Sequence, residues 1–268
     1  MKKVLITFIL ILISNLNSFS KDILRLATTT STYETGLLDH ILPQFNEKFG
    51  VEVHAVSVGT GKAIRLGENG DVDIILIHAP EAAGKFISLG YGRNKQEVMY
   101  NDFLILGPSD DPAKIRGLNN AAQALKAIFY KKALFISRDD DSGTHKKELF
   151  FWKKAALKPG GAWYMESGQG MSATLRIADE KEAYILIDRG TYLYNKDAIR
   201  LEIIVEADPD LLNLYEIIAV NPGKHPHVKH ELSQKLINWF TSWQCQNLID
   251  NYKVKGQKLF QPSKLKRN

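Results

Sequence analysis

Ile23-Leu24-Arg25-Leu26-Ala27-Thr28-Thr29-Thr30-Ser31-Thr32 is a strand-like run that passes directly into five consecutive hydroxyl residues. From Gly36 to Lys48, the apolar residues Leu37, Leu38, Ile41, Leu42 and Phe45 recur at helical spacing. Val51 to Val58 is β-branched and alternating and reads as a second strand, and Lys62 to Asn69 reads as a short helix. Val72-Asp73-Ile74-Ile75-Leu76-Ile77 has the nearly continuous apolar character of a strand buried on both faces of a parallel sheet. Ala82 to Leu89 is a further helix. The βαβαβα order predicts an α/β fold, with ligands at the carboxyl ends of the strands.

A second set of elements follows. Phe103 to Leu106, Ala133 to Ser137, Ala183 to Ile187, Ile203 to Val205 and Tyr215 to Val220 read as strands. Asn119 to Tyr130 and Gly143 to Ala156 read as helices. The end of the chain is helical again, with Leu232, Leu236, Ile237 and Phe240 as its apolar stripe. There is no fixed-period repeat and no Gly/Ser linker, so two α/β sets in close contact are expected. Residues 97–103 and 213–220 are the candidate crossings between them.

The N-terminus reads as a secretory signal peptide over residues 1–20. Lys2 and Lys3 precede the apolar Val4 to Ile13, and Ser18-Phe19-Ser20 offers small residues at a cleavage site. That apolar run is too short to span a bilayer, which takes about 20 residues. Its removal takes two lysines and no acid, lowering the formal charge of the 268-residue chain from +5 to +3. So small a balance gives no basic stripe and argues against nucleic-acid binding. Cys245 is the single cysteine, so no intramolecular disulfide can form. Its apolar helical surroundings, Trp239 to Cys245, make it a buried thiol rather than a nucleophile.

Three strand-to-helix turns carry hydroxyls. The first is Thr28 to Thr32, where a helix start needs only one hydroxyl as its cap. The second is Val58-Gly59-Thr60-Gly61-Lys62. It fails as a nucleotide P-loop, because Val56 stands where the first glycine is required and Ala63 follows the lysine. The third is Ser137-Arg138-Asp139-Asp140-Asp141-Ser142-Gly143-Thr144-His145, which adds a guanidinium suited to oxyanions. Each turn alone is compatible with a capped, solvated loop. Together, on one sheet edge, they could enclose a small anion with N–H and O–H donors and the positive ends of helices. Charge-assisted hydrogen bonds contribute roughly 1.5–3 kcal/mol each, so about six would support sub-micromolar binding.

These stretches, together with His78-Ala79-Pro80-Glu81, Val98 to Phe103, Trp163 to Met171, Ile177 to Lys181 and Asp188-Arg189-Gly190-Thr191-Tyr192, resemble the tungstate-binding proteins of ABC uptake systems. Those are type II periplasmic binding proteins, and the resemblance covers roughly residues 24–222. It implies a two-lobed α/β fold with a ligand cleft between the lobes: lobe I from 21–102 plus 216–268, and lobe II from 103–215. It implies an exported, periplasmic, monomeric protein that captures tungstate, with molybdate as a second candidate. The protein would deliver the anion to an ABC permease and its ATPase at the inner membrane. No cofactor and no direct cation site are implied. Carried over residue by residue, the ligand site falls on Thr29, Thr30, Ser31, Thr60, Arg138, Ser142, Gly143 and Thr144.

His78 is expected to support the site from behind rather than touch the ligand, and Gln169 could add a donor. The turn at His78 carries an acid in phosphate-type relatives and none here, which implies weak phosphate binding. Trp152, Trp163 and Tyr164 read as core, and His225, His227 and His230 lack the spacing of a zinc site. Binding of phosphate or sulfate is one alternative. A secreted serine hydrolase using Ser31 or Ser142 is another, but the chain has neither a Gly-x-Ser-x-Gly elbow nor a credibly placed histidine base.

Overall fold

The computed structural model describes residues 22–265, with Ser31 described by its backbone only. The expected signal peptide lies outside the described residues. In chain order the elements are β1 (Asp22–Thr29), α1 (Thr30–Glu34), α2 (Leu37–Phe49), β2 (Val51–Val58), α3 (Thr60–Asn69), β3 (Ile74–Ile77) and α4 (Pro80–Ser88). There follow β4 (Gly92–Gly107), α5 (Ala121–Lys131), β5 (Phe135–Ser137), α6 (Gly143–Lys154), β6 (Tyr164–Glu166), α7 (Met171–Glu180), β7 (Ile185–Asp188), α8 (Arg189–Asn195) and β8 (Glu202–Val205). β9 (Leu212–Val220), α9 (His230–Thr241), α10 (Trp243–Asn251) and the short strands β10 (Lys253–Val254), β11 (Gln257–Lys258) and β12 (Gln261–Pro262) complete the chain.

The main sheet runs β12-β4-β9-β3-β1-β2, with β7 and β8 also paired to β4. β1 is parallel to β2 and β3, while β9 is antiparallel to both β3 and β4. The sheet is therefore mixed rather than parallel throughout. β4 is shared between two halves. Residues from Gly92 to Asp102 pair with β9, and Phe103 to Gly107 pair with β7 and β8. β5 and β6 form a separate parallel pair.

Strand periodicity explains the layers. Leu24, Leu26, Ile74 and Leu76 point to one face of the first half, into a core shared with α2, α9 and α10. Ala27, Ile75 and Ile77 point to the other face, against Ala63 of α3 and Ala83 and Phe86 of α4. The second half repeats the alternation. Phe103 and Ile105 meet Leu125, Ile128 and Trp152, whereas Leu104 and Leu106 meet Met171, Leu175 and Ala178. Each half-sheet is thus covered on both faces, and this is why its central strands read as unbroken apolar runs.

Several elements differ from the sequence reading. α1 forms within the hydroxyl run itself. It is separated from α2 by Gly36, whose φ of +74° is left-handed and breaks the helical path. The N-terminal part of β4, Gly92-Arg93-Asn94-Lys95-Gln96-Glu97, is polar and mostly exposed. Its pairing with β9, through two register shifts, makes it a strand. β6 and α8 also form where no element was expected, and Trp152, Trp163 and Tyr164 pack as an aromatic cluster.

Candidate oxyanion site

The first turn begins where β1 ends. Thr28 is spent within the sheet, its hydroxyl donating to the Leu76 carbonyl at 3.0 Å. Thr29 ends the strand, and its Oγ1 lies 2.7 Å from Thr32 Oγ1. Thr30 is the first residue of α1 and is half-buried, and Ser31 follows it on the same helical turn. The first-turn N–H groups of a helix have no intrahelical acceptors, so this end presents donors.

The second turn places extended Gly59 as the cap of α3 and Thr60 as its first residue. Thr60 is 1% exposed, and its Oγ1 has no hydrogen-bond partner among the described residues. The third turn is built around the arginine. Arg138 is 7% exposed, and its Nε donates to Asp140 Oδ2 at 2.7 Å. Asp140 also accepts from the Ser142 N–H at 3.1 Å, so one carboxylate aims the guanidinium and shapes the loop. Asp139 and Asp141 sit at left-handed φ values of +45° and +57°, a conformation aspartate tolerates better than most residues. Ser142 caps α6 by accepting from the His145 N–H at 3.3 Å, which leaves its own hydrogen free to donate. Thr144 is 1% exposed, and its Oγ1 is a second buried hydroxyl without a partner among the described residues.

Close contacts bring the turns together. A Cβ built on Gly61 would lie 3.0 Å from Asp141 Oδ2, so the α3 turn abuts the arginine loop. A Cβ on Gly143 would lie 2.8 Å from His78 Cε1, so the end of β3 abuts the start of α6. Arg138 acts electrostatically on both His78 and Glu34, which ties it to the α1 region as well. Thr29, Thr30, Thr60, Arg138, Ser142, Gly143 and Thr144 therefore belong to converging turns. Gln169 is exposed just before α7.

Around His78 the structure adds residues that the sequence reading left without a role, among them Asn101, Asn213 and Tyr215. His78 Nδ1 pairs with Asn213 Oδ1 at 2.9 Å, and the ring stacks on Tyr215 at 5.0 Å. Asn213 donates to Asn101 Oδ1 at 2.8 Å and to the Tyr215 hydroxyl at 3.0 Å. Asn101 and Asn213 are register partners on the two crossing strands. Burial holds the His78 pKa below the ordinary imidazole value, against the pull of Asp188 and Asn213. Asp188, 1% exposed, caps α8 by accepting from the Thr191 N–H and hydroxyl at 2.8 Å each. Burial, reinforced by Asp188, raises the Glu34 pKa. The surroundings are thus not free of acids, although none occupies the His78 turn. The strand before Asp188 was visible in Ala183 to Ile187, but the helix α8 that Asp188 caps was not.

Beside His78 and Gly143, a groove of about 920 Å³ opens between α4 and α6, lined by Lys85, Lys146, Lys147, Lys153 and Lys154. His225 and His227 lie elsewhere, bonded through Nε2 to the Glu68 and Gly70 carbonyls at the end of α3.

Comparison with known proteins fits this geometry. Residues 20–243 match the family model described as the PBP superfamily domain. The chain is 44% identical over 251 residues to the tungstate-binding protein TupA of Peptoclostridium acidaminophilum, covering 92% of this chain and 88% of that protein. The structure of the TupA tungstate-binding protein from Desulfovibrio alaskensis G20 is 44% identical and superimposes with a TM-score of 0.81, over 91% of this chain and all of that one. The tungstate ABC transporter structure from Geobacter sulfurreducens is 48% identical with a TM-score of 0.79, over 86% of this chain and 98% of that one. The chain belongs to the PBP superfamily and, within it, to the family of TupA-type binding proteins of ABC transporters.

Proposed function

We propose that this protein is the periplasmic tungstate receptor of an ABC uptake system, and that it catalyses no reaction. Thr29, Thr30, Ser31, Thr60, Arg138, Ser142, Gly143 and Thr144 would hold the anion through hydroxyl, N–H and guanidinium donors. The observation that carries this reading is the pair of buried hydroxyls on Thr60 and Thr144, which lack partners among the described residues. An unsatisfied buried polar group costs roughly 1–3 kcal/mol. Two of them, on separate helix starts that converge beside Arg138, are explained by a ligand that accepts hydrogen bonds.

A fully ionised tetrahedral oxyanion is such an acceptor and carries no proton that needs a protein acceptor of its own. Tungstate is the choice among oxyanions because the TupA relatives are named for it. Molybdate has the same charge and nearly the same size and competes for the same donors. The two half-sheets, joined at Asn101 and Asn213, would act as lobes whose closure a permease and its ATPase detect, with the receptor working as a monomer.

Isothermal titration of the purified chain with sodium tungstate, molybdate, sulfate and phosphate at neutral pH tests this. Sub-micromolar tungstate binding, with sulfate and phosphate far weaker, is expected. Tight phosphate binding, or no tungstate binding, overturns the assignment.

A further inference from the structure

Glu148 lies on the inner face of α6, one turn beyond Thr144, and is 2% exposed. Its carboxylate is a meeting point of donors from three elements. Ser137 Oγ donates to Oε2 at 2.9 Å from the end of β5. Trp152 Nε1 donates to Oε1 at 3.1 Å from the same helix, and the Tyr164 hydroxyl donates to Oε1 at 2.7 Å from β6. The backbone N–H of Arg138 also faces it. The Trp152 indole and the Arg138 N–H can only donate, and with the two hydroxyls they make four donors that a carboxylate accepts on both oxygens, which an amide with its single oxygen does not.

Ser137 and Arg138 are consecutive, and Ser137 is the last residue of β5. The other side of the turn is held from β6, where the Ser167 N–H donates to the Ser137 carbonyl at 2.9 Å and Ser167 Oγ to the Arg138 carbonyl at 3.3 Å. Glu148 is therefore a buried group that joins the arginine turn to α6, the helix whose start carries Ser142, Gly143 and Thr144.

We infer that Glu148 is a positioning residue for oxyanion binding: its carboxylate holds the Arg138 turn in register with the start of α6. This inference rests on the tungstate reading of the site. Burial raises the Glu148 pKa to about 7, while its donors pull it down. The groups that face it are the guanidinium-bearing turn of Arg138, Ser137, Trp152 and Tyr164. The Tyr164 hydroxyl is itself pushed up by burial and by Glu148, so it stays protonated. Protonation of Glu148 turns one acceptor into a donor and loosens the turn, so affinity rises with pH through neutrality.

The test is isothermal titration with sodium tungstate at pH 6 and pH 8 for the full chain and for Glu148→Gln, with circular dichroism as a check on folding. We expect the wild type to bind more tightly at pH 8. We expect Glu148→Gln to bind at least about tenfold more weakly at pH 8 and to lose the difference between the two pH values. The variant also corrects for any protonation of the anion. Wild-type affinity in Glu148→Gln, or weakened binding with the pH difference intact, overturns the inference.

Where Glu148→Gln does not fold, Ser137→Ala serves instead. It removes one donor to the carboxylate and should move the midpoint of the pH dependence upward; an unchanged midpoint overturns the inference. Absence of tungstate binding by the wild type would strike at the reading of the site, whereas an indifferent Glu148→Gln strikes only at the role of Glu148.

Discussion

His78 and Gly143 meet across the two halves of the molecule so closely that the imidazole occupies the space a side chain at 143 would need. The ideal Cβ position lies 2.8 Å from Cε1, 3.1 Å from Nδ1 and 3.2 Å from Nε2. The ring cannot simply turn away, because Nδ1 is bonded to Asn213 and its face is stacked on Tyr215. Gly143 is helical, so the constraint is close approach rather than backbone conformation.

Gly143→Ala should therefore hold the start of α6 away from the end of β3. Overpacking of this kind typically costs about 1–3 kcal/mol, and here it falls on the contact that brings two of the candidate site's turns together. Tungstate affinity should fall by about tenfold, with secondary structure retained by circular dichroism. Wild-type affinity in calorimetry would show that the contact does not bear on the site.

Thr60→Val and Thr144→Val should act with opposite signs on stability and binding. Valine keeps the shape and removes a buried hydroxyl that has no partner among the described residues. Without ligand each variant should match or exceed the wild type, by up to about 1 kcal/mol, or a few degrees in melting temperature. With tungstate each should lose the stabilisation that the anion gives the wild type. Thermal unfolding with and without sodium tungstate reads both effects. A variant less stable without ligand but equally stabilised by tungstate would remove that hydroxyl from the site.

Much of this site could be read along the chain because its parts are local. A strand, a Gly or hydroxyl turn and a helix start are consecutive residues, so the Thr60 and Arg138-to-Thr144 turns were legible as donor sets. What could not be read was pairing across long separations. Asn101 and Asn213 are ordinary polar residues in sequence and become a buried pair only because β4 and β9 align them. The polar start of β4 lacks apolar alternation and owes its strand state to β9. Glu148 carries no role in the sequence reading, because Ser137 and Tyr164 reach it only on folding. The same limit applied to charge. The whole-chain balance of +5 says nothing of the five lysines gathered around one groove.

Arg138 is a buried guanidinium placed among these donors, and Asp140 holds its Nε. Arg138→Ala should weaken tungstate binding by tenfold or more, because a charge-assisted contact is worth about 1.5–3 kcal/mol. Arg138→Lys should recover only part of the loss, since an ammonium lacks the planar fork that would bond the anion while it bonds Asp140. Calorimetry on both variants decides it. Full recovery by lysine would reduce the role of Arg138 to that of a point charge.

The lysine groove should affect how fast the anion arrives. Lys85 and Lys153 are exposed on opposite walls, on α4 and α6. Lys85→Gln/Lys153→Gln should lower the association rate at low ionic strength and leave the dissociation rate unchanged. Fixed charge at a cleft steers diffusing ions without holding them. The difference should vanish near 1 M salt, where the screening length is about 3 Å. Stopped-flow fluorescence measures both rates, and a change confined to dissociation would contradict steering.

His78 gives the fold a defined response to acid. Burial holds its imidazole neutral, with a pKa below the ordinary value of about 6.5. A base whose folded pKa is depressed takes up its proton more readily in the unfolded chain. Its contribution to stability is complete above about pH 6.5 and is lost as pH falls below that value. His78→Gln has no such proton to take up and can still bond Asn213. Melting temperatures at pH 7 and pH 5, without ligand, should therefore fall less in His78→Gln than in the wild type. The remaining histidines are common to both proteins and cancel in the comparison. An equal fall in the two would mean that the imidazole is protonated as readily in the folded chain as in the unfolded one.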